Sequence, residues 1–369
     1  MRRLGFLLPR RKLESFLRAL AKRHTLIAPL QREGDGLATF ETVKRPEDLA
    51  RLDLERNPPF SAKKLFMPPY EHLFAYDMAT QEVTDKKVEE KRRVVFGLRL
   101  CDLNAIKIQD ALFLRRDFTD DQYRAAREET LLVGWYCNTP PSPNCFCESM
   151  ELTNYYDVMV RELPDKDAVY LDVGSPAGIV LLEGLEGVKL VEHHEAVPRI
   201  ATRKRLNTRD VRPVYDHPSW KKTAEERCLF CQRCTIVCPT CMCFDVYDKT
   251  SEDVRHGVRK RTWDSCLSKE FTRVAGNHYF RPERAARFKH RIYHKLAYYP
   301  EVFGTPMCTG CGRCISECPA NIDWVELINE IEKERVGSGT NATSEKNTRN
   351  ETITTSGTNA RSVTGAERR

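Results

Sequence analysis

The sequence predicts an α+β chain. An N-terminal α/β domain (residues 1–200) is followed by a linker (201–220), a cysteine-rich domain (221–335) and a disordered tail (336–369). Three observations carry this. Apolar, β-branched runs alternate with helical periodicity in the first half. Cysteines concentrate in the second half. The last 30 or so residues are Ser, Thr, Asn and Gly with almost no large apolar side chain, a composition too poor in burial to offset the entropy of ordering.

Leu13, Phe16, Leu17 and Leu20 fall on one helical face, so residues 13–23 read as a short amphipathic helix. Strands are expected at 26–29 and 37–40, around the turn Glu33-Gly34-Asp35-Gly36. The run from Val94 to Arg99 stops at Cys101, a helix over 102–114 follows, and a second apolar run, Thr130–Trp135, ends at Cys137. Strand, helix, strand reads as a βαβ unit with both cysteines at strand ends, where open α/β sheets place their sites. Further strands are expected at 169–173 and 178–182.

With 31% charged and 41% apolar residues the chain is composed like a globular protein. No apolar run is long enough to span a bilayer. The first nine residues are too short in their apolar part for a secretory signal, so a cytoplasmic setting is expected. A net charge of +7, spread among 53 acids, is weak for a nucleic-acid binder, and none is expected as a partner. Fifteen cysteines in a chain expected to stay in a reducing compartment point to metal or redox chemistry instead of disulfides.

Eight of them form two runs of one spacing. Cys228-x2-Cys231-x2-Cys234-x3-Cys238-Pro239 is repeated as Cys308-x2-Cys311-x2-Cys314-x3-Cys318-Pro319. Bacterial two-cluster ferredoxins hold [4Fe–4S] cubanes with this run. Three thiolates at x2 spacing wrap one cube, and the fourth, three residues on, reaches the other. The expected sets therefore cross: Cys228, Cys231, Cys234 with Cys318, and Cys308, Cys311, Cys314 with Cys238. Zinc ribbons also use Cys-x2-Cys pairs, but not two copies of a four-cysteine run closed by Pro. The cysteine-rich domain is thus ferredoxin-like, with an insertion at 239–307 that is expected to loop out and pack over it.

Seven cysteines lie outside the runs. Cys101, Cys137, Cys145 and Cys147 match the count of a third cubane, against the alternative of buried thiols packed as small hydrophobes. Cys241 and Cys243 follow Cys238 closely and are expected to line the cluster pocket, and Cys266 lies further along the insertion. The basic stretch Arg281, Arg284, Arg287, Lys289, His290, Arg291, His294, Lys295 reads as a solvated face, as positive charge behind the clusters, or as a nucleic-acid surface. Trp263 and Trp324 are expected to shield the clusters. His72, His193 and His194 lack carboxylate partners at fixed spacing and read as ordinary residues.

Cys228 to Cys243, Arg261-Thr262-Trp263-Asp264-Ser265-Cys266, Phe271, Gly276-Asn277, Arg281, His294-Lys295 and Cys308 to Cys314 together resemble the iron–sulfur β subunit of cytoplasmic sulfhydrogenases and the A subunit of anaerobic sulfite reductases. In the first domain, Lys64–Glu71, Gly97–Asp102, Arg127-Glu128-Glu129 and Cys145–Met150 are similar too. The likeness covers about residues 5–330. Two positions depart from it: Leu100 stands where Pro is usual before Cys101, and Glu151 where Gly is usual after Met150.

The resemblance implies an electron-transfer subunit between a flavin subunit that reads NAD(P)H and a catalytic partner, a [NiFe] hydrogenase or a sirohaem sulfite reductase. Neither Gly-x-Gly-x-x-Gly nor Gly-x4-Gly-Lys-[Ser/Thr] occurs, so no known dinucleotide or nucleoside triphosphate loop is present. The alternative is an iron–sulfur enzyme in its own right, with a substrate-accessible cluster in the first domain.

Overall fold

A computed structural model describes residues 5–85, 92–115, 117–191 and 200–346. It is an α+β structure. Its main sheet has eight strands in the order β10-β1-β9-β8-β7-β6-β2-β3: β1 Gly5–Pro9, β2 Thr25–Gln31, β3 Ala38–Thr42, β6 Arg93–Leu98, β7 Thr130–Trp135, β8 Val158–Leu163, β9 Ala168–Val173 and β10 Lys189–Val191. β2, β6, β7 and β8 run parallel, and the flanking strands are antiparallel. Two further strands, β4 Tyr70–Asp77 and β5 Glu82–Asp85, lie outside it.

Strand alternation sends side chains to two cores. Val94 and Phe96 pack with Phe16, Leu17 and Leu20 of α1 (Leu13–Arg23). Val95 and Leu98 face Leu103, Ile106 and Phe113 of α2 (Leu100–Phe113), with Tyr123 of α3 (Asp121–Glu128). Helix α2 starts directly at the carboxyl end of β6 and carries Cys101 in its first turn. The predicted βαβ unit is therefore present, with β6 and β7 as parallel neighbours.

Residues 178–182, expected as a strand, are instead part of helix α4 (Pro176–Leu182). Ser175 caps it, its hydroxyl accepting from Gly178 N–H at 3.2 Å, and Pro176 occupies the first helical position. Those start signals outweigh the β-branched run. The N-terminal run Phe6-Leu7-Leu8 is a strand between β9 and β10.

In the second half, α5 (Ser219–Glu226) packs on α7 (Arg284–Tyr293), and two four-residue helices, α6 (Arg233–Ile236) and α9 (Arg313–Ser316), sit inside the cysteine runs. A π-helical turn, His294–Tyr298, joins α7 to α8 (Tyr299–Phe303). The insertion does not merely cap the cysteine runs. Its hairpin, β11 Phe244–Thr250 and β12 His256–Trp263, pairs with β4 in a four-stranded sheet β11-β12-β4-β5. Arg261 on β12 is buried there, bonded to Glu71 at 2.6 Å and to Asp120. The halves of the chain thus share a sheet. The last helix, α10 (Trp324–Lys346), continues ten residues past the expected start of the tail, and residues 347–369 lie outside the described part.

Candidate iron–sulfur sites

Each cysteine run folds the same way. The residues on either side of the second cysteine take left-handed conformations: Phe230 (φ 53) and Gln232 (φ 65) in the first run, Gly310 (φ 65) and Gly312 (φ 75) in the second. Two such residues curl the chain around a point and leave successive N–H groups facing inward. The second run needs glycine for another reason. A Cβ on Gly310 would meet Cys147 Cα at 2.5 Å, and one on Gly312 would meet Asn144 O at 2.5 Å. Loop 144–147 of the first domain packs directly on that run, with Phe146 N–H donating to Gly310 O at 2.8 Å.

Cys228, Cys231, Cys234 and Cys318 line one cavity, whose other walls include Leu267, Phe288 and Ile292; Cys314 borders it as well. Around the second run, Cys308 and Cys311 each have Cys314 and Cys238 as electrostatic neighbours. The structure thus places Cys318 beside the first run and Cys238 beside the second. N–H groups point at the sulfurs: Trp324 Nε1 to Cys314 Sγ at 3.3 Å, Ile322 N to Cys318 Sγ at 3.4 Å and Gly310 N to Cys308 Sγ at 3.5 Å. Such bonds stabilise negative charge on a thiolate and tune a cluster's potential. Trp324 therefore lies directly against a sulfur of the second run. The Trp263 indole donates to Met67 O at 3.0 Å, and Lys63 Nζ lies 4.2 Å over its ring.

The basic stretch is largely not a solvated face. Arg287, Arg291 and Lys295 are buried. Arg291 donates to Cys234 O at 3.0 Å, and its Nε is buried with no partner. Lys295 Nζ bonds Thr240 Oγ1 at 2.8 Å. Buried Lys63, reaching in from the first domain, bonds Thr235 O at 3.2 Å and Cys241 O at 2.9 Å. These cations bond neutral oxygens, and the groups facing them are cysteine sulfurs. Burial works against the Lys295 ammonium, yet Cys238 and Cys241 outweigh it and hold its pKa above the ordinary lysine value. A buried cation needs a nearby negative charge, and an orphaned donor needs an acceptor. Anionic iron–sulfur clusters supply both, so the residues fit them.

A cation beside a cluster favours its reduced, more negative state. Two charges several ångströms apart at an effective dielectric of about 20 interact by a few kcal/mol. For a one-electron couple that is on the order of 100 mV, at 59 mV per tenfold. Lys295→Met is therefore expected to lower the potential of the cluster beside Cys238 and Cys308 by that order, read by spectroscopic titration. An unchanged potential would remove the assigned role.

Cys101, Cys137, Cys145 and Cys147, scattered over 47 positions, also converge. Cys147 is an electrostatic neighbour of Cys101, Cys137 and Cys145, and Cys137 of Cys145. Cys101 and Cys137 follow the carboxyl ends of β6 and β7, and loop 145–147 closes over them. Burial pushes the thiols of Cys145 and Cys147 up, to about 11 and about 12. Loading a metal centre there must release protons. Arg99 faces Cys137, while Arg313 binds Asp102 through two hydrogen bonds, 2.7 and 3.0 Å, fully inside the protein. Since Arg313 lies in the second cysteine run, this ion pair fixes the two sites to one another. Cys145 Sγ lies 3.8 Å from Cys311 O.

Both positions that depart from the resemblance have a local structural reading. Leu100 holds the first position of α2, a place proline also suits. Glu151 takes a left-handed conformation (φ 52), one that glycine adopts most readily, and its carboxylate bonds Arg209 at 2.8 Å. His72 packs on Tyr70 on β4. His193 and His194 lie outside the described residues. Among the described residues, no three His, Cys, Asp or Glu side chains form a group that could hold a single metal ion, and no helix is long and apolar enough to cross a membrane.

Comparison with known proteins agrees with this geometry. Residues 227–322 match the 4Fe-4S dicluster domain family. The chain is 36% identical over 314 residues to sulfhydrogenase 2 subunit beta of Pyrococcus furiosus, covering 79% of this chain and 88% of that one. No solved structure matches the chain significantly.

Proposed function

The chain belongs to the sulfhydrogenase β-subunit family, and from that premise we propose that it carries electrons between a flavin subunit that reads NAD(P)H and a [NiFe] catalytic partner. The two [4Fe–4S] clusters of the dicluster domain are one-electron carriers. Cys228, Cys231, Cys234 and Cys318 hold the first. Cys308, Cys311, Cys314 and Cys238 hold the second. Cys101, Cys137, Cys145 and Cys147 hold a third.

The observation that supports a relay is the row these sites make. Cys231 is exposed, with Leu229 beside it 64% exposed, so the first site reaches the surface. Cys314, a ligand of the second, borders the first site's cavity. The second run in turn touches the N-terminal thiols through Cys145 and Phe146. Three sites in contact, spanning two domains locked by Arg313–Asp102, suit electron passage better than substrate chemistry.

The experiment is anaerobic co-purification with candidate flavin and hydrogenase subunits, followed by rapid mixing with NAD(P)H. The clusters should bleach only when the flavin subunit is present and recover when the catalytic subunit is given protons as acceptor. Clusters that stay oxidised in the complete complex would end the proposal.

A further inference from the structure

Three cysteines remain outside the three ligand sets: Cys241, Cys243 and Cys266. The β11–β12 hairpin brings the last two together. Its register sets Phe244 opposite Trp263, and beyond that pair Asp264 N–H donates to Cys243 O at 2.9 Å. Cys266 follows two residues on, and its thiol and that of Cys243 are immediate electrostatic neighbours. Cys266 is 3% exposed, while Cys243 is only half-buried.

Two neighbouring thiols held at the end of one hairpin can be brought together by a small movement. They are suited to a sulfur–sulfur bond, which needs a separation of about 2.05 Å. Their surroundings are electropositive, since Lys63 and Lys295 both face Cys243. A cationic setting favours the thiolate, the reactive form in disulfide chemistry. The pair also sits against a cluster site: Cys266 neighbours Cys241, whose thiol is within hydrogen-bonding reach of Cys238.

We infer that Cys243 and Cys266 are a redox-active dithiol that exchanges two electrons with the iron–sulfur centres beside it. In closing, each thiol loses a proton, one sulfur–sulfur bond forms, and two electrons leave, one to each of two oxidised [4Fe–4S] clusters. The protons pass to water on the open side of Cys243. Opening reverses every item, with two reduced clusters as the donors. Such a pair lets one-electron carriers hand over or store electrons two at a time, as hydride-level partners require.

The test uses the full chain, purified anaerobically with its clusters and poised at graded potentials. Samples are quenched in acid and alkylated with a light label, then reduced and alkylated with a heavy one, and read by mass spectrometry. Cys243 and Cys266 should change label together, the disulfide-to-dithiol ratio moving tenfold for about every 30 mV, as a two-electron couple does. The Cys243→Ser chain should keep its iron content and cluster spectrum while Cys266 stays reduced throughout. Two thiols found free at every potential would overturn the inference. So would loss of iron from Cys243→Ser, which would make these residues ligands. Because the labelling works on the unaltered chain, it decides the matter even if the variant does not fold.

Discussion

Stripped of iron by an anaerobic chelator, the chain should lose its fold over residues 221–335 while the eight-stranded sheet persists. The reason lies in how little else orders the cysteine runs. Helices α6 and α9 have four residues each, far below the length at which a helix holds itself. The first run keeps Phe230 and Gln232 in left-handed conformations that only surrounding structure can enforce. The local core packs Phe288, Ile292, Trp324 and Ile328 against Cys228, Cys308, Cys314 and Cys318 themselves. Removing the clusters leaves voids beside that core and three buried cations facing neutral thiols. A metal group bound only by the folded state stabilises it directly, by about 10 kcal/mol in structural zinc sites. The sheet, by contrast, has its own core of Phe16, Leu20, Val94, Phe96 and Leu171, which contains no cysteine. Hydrogen exchange reads the outcome. Amides of 228–238 and 308–318 should exchange freely in the iron-free chain, and protection retained there would contradict this account.

Anaerobic preparations should contain about twelve irons per chain, at four per cubane, and Cys145→Ser should lower this to about eight with the dicluster spectrum intact. Four thiols, three of them buried, converge where α2 and loop 145–147 meet the carboxyl ends of two parallel strands, among Arg99 and Arg313. Free thiols would draw nothing from such cations, whereas a cluster's negative charge would. About eight irons in the unaltered chain, unchanged by Cys145→Ser, would return these residues to packed thiols.

Much of this was legible in the sequence, and the limits have physical causes. The cysteine runs are local motifs: spacing alone fixes which sulfurs share a loop. The helix at 13–23 and the βαβ unit were visible because periodicity and strand ends are local as well. The pairing of β12 with β4 was not, because strands 190 positions apart in sequence carry no mutual code beyond their propensity. The same distance hid Lys63, whose charge looks like any surface lysine until the fold inserts it beside Cys241. Residues 178–182 misled because burial alone does not separate a short apolar strand from a helix; Ser175-Pro176 held the deciding signal. The approach of Cys266 to Cys243 follows from the hairpin, which sets Asp264 against Cys243 and which sequence spacing left open.

Crossed ligation is the heart of the proposed relay, since it would make the two clusters one interlocked unit, and Cys238→Ser tests it most directly. Cys238 precedes the second run by 70 positions, yet it sits among Cys308, Cys311 and Cys314. Spin-resonance spectra of the reduced variant should show the cluster of Cys308, Cys311 and Cys314 lost or altered, with the signal of the Cys228, Cys231 and Cys234 cluster preserved. Loss confined to the cluster of Cys228, Cys231 and Cys234 would contradict the account.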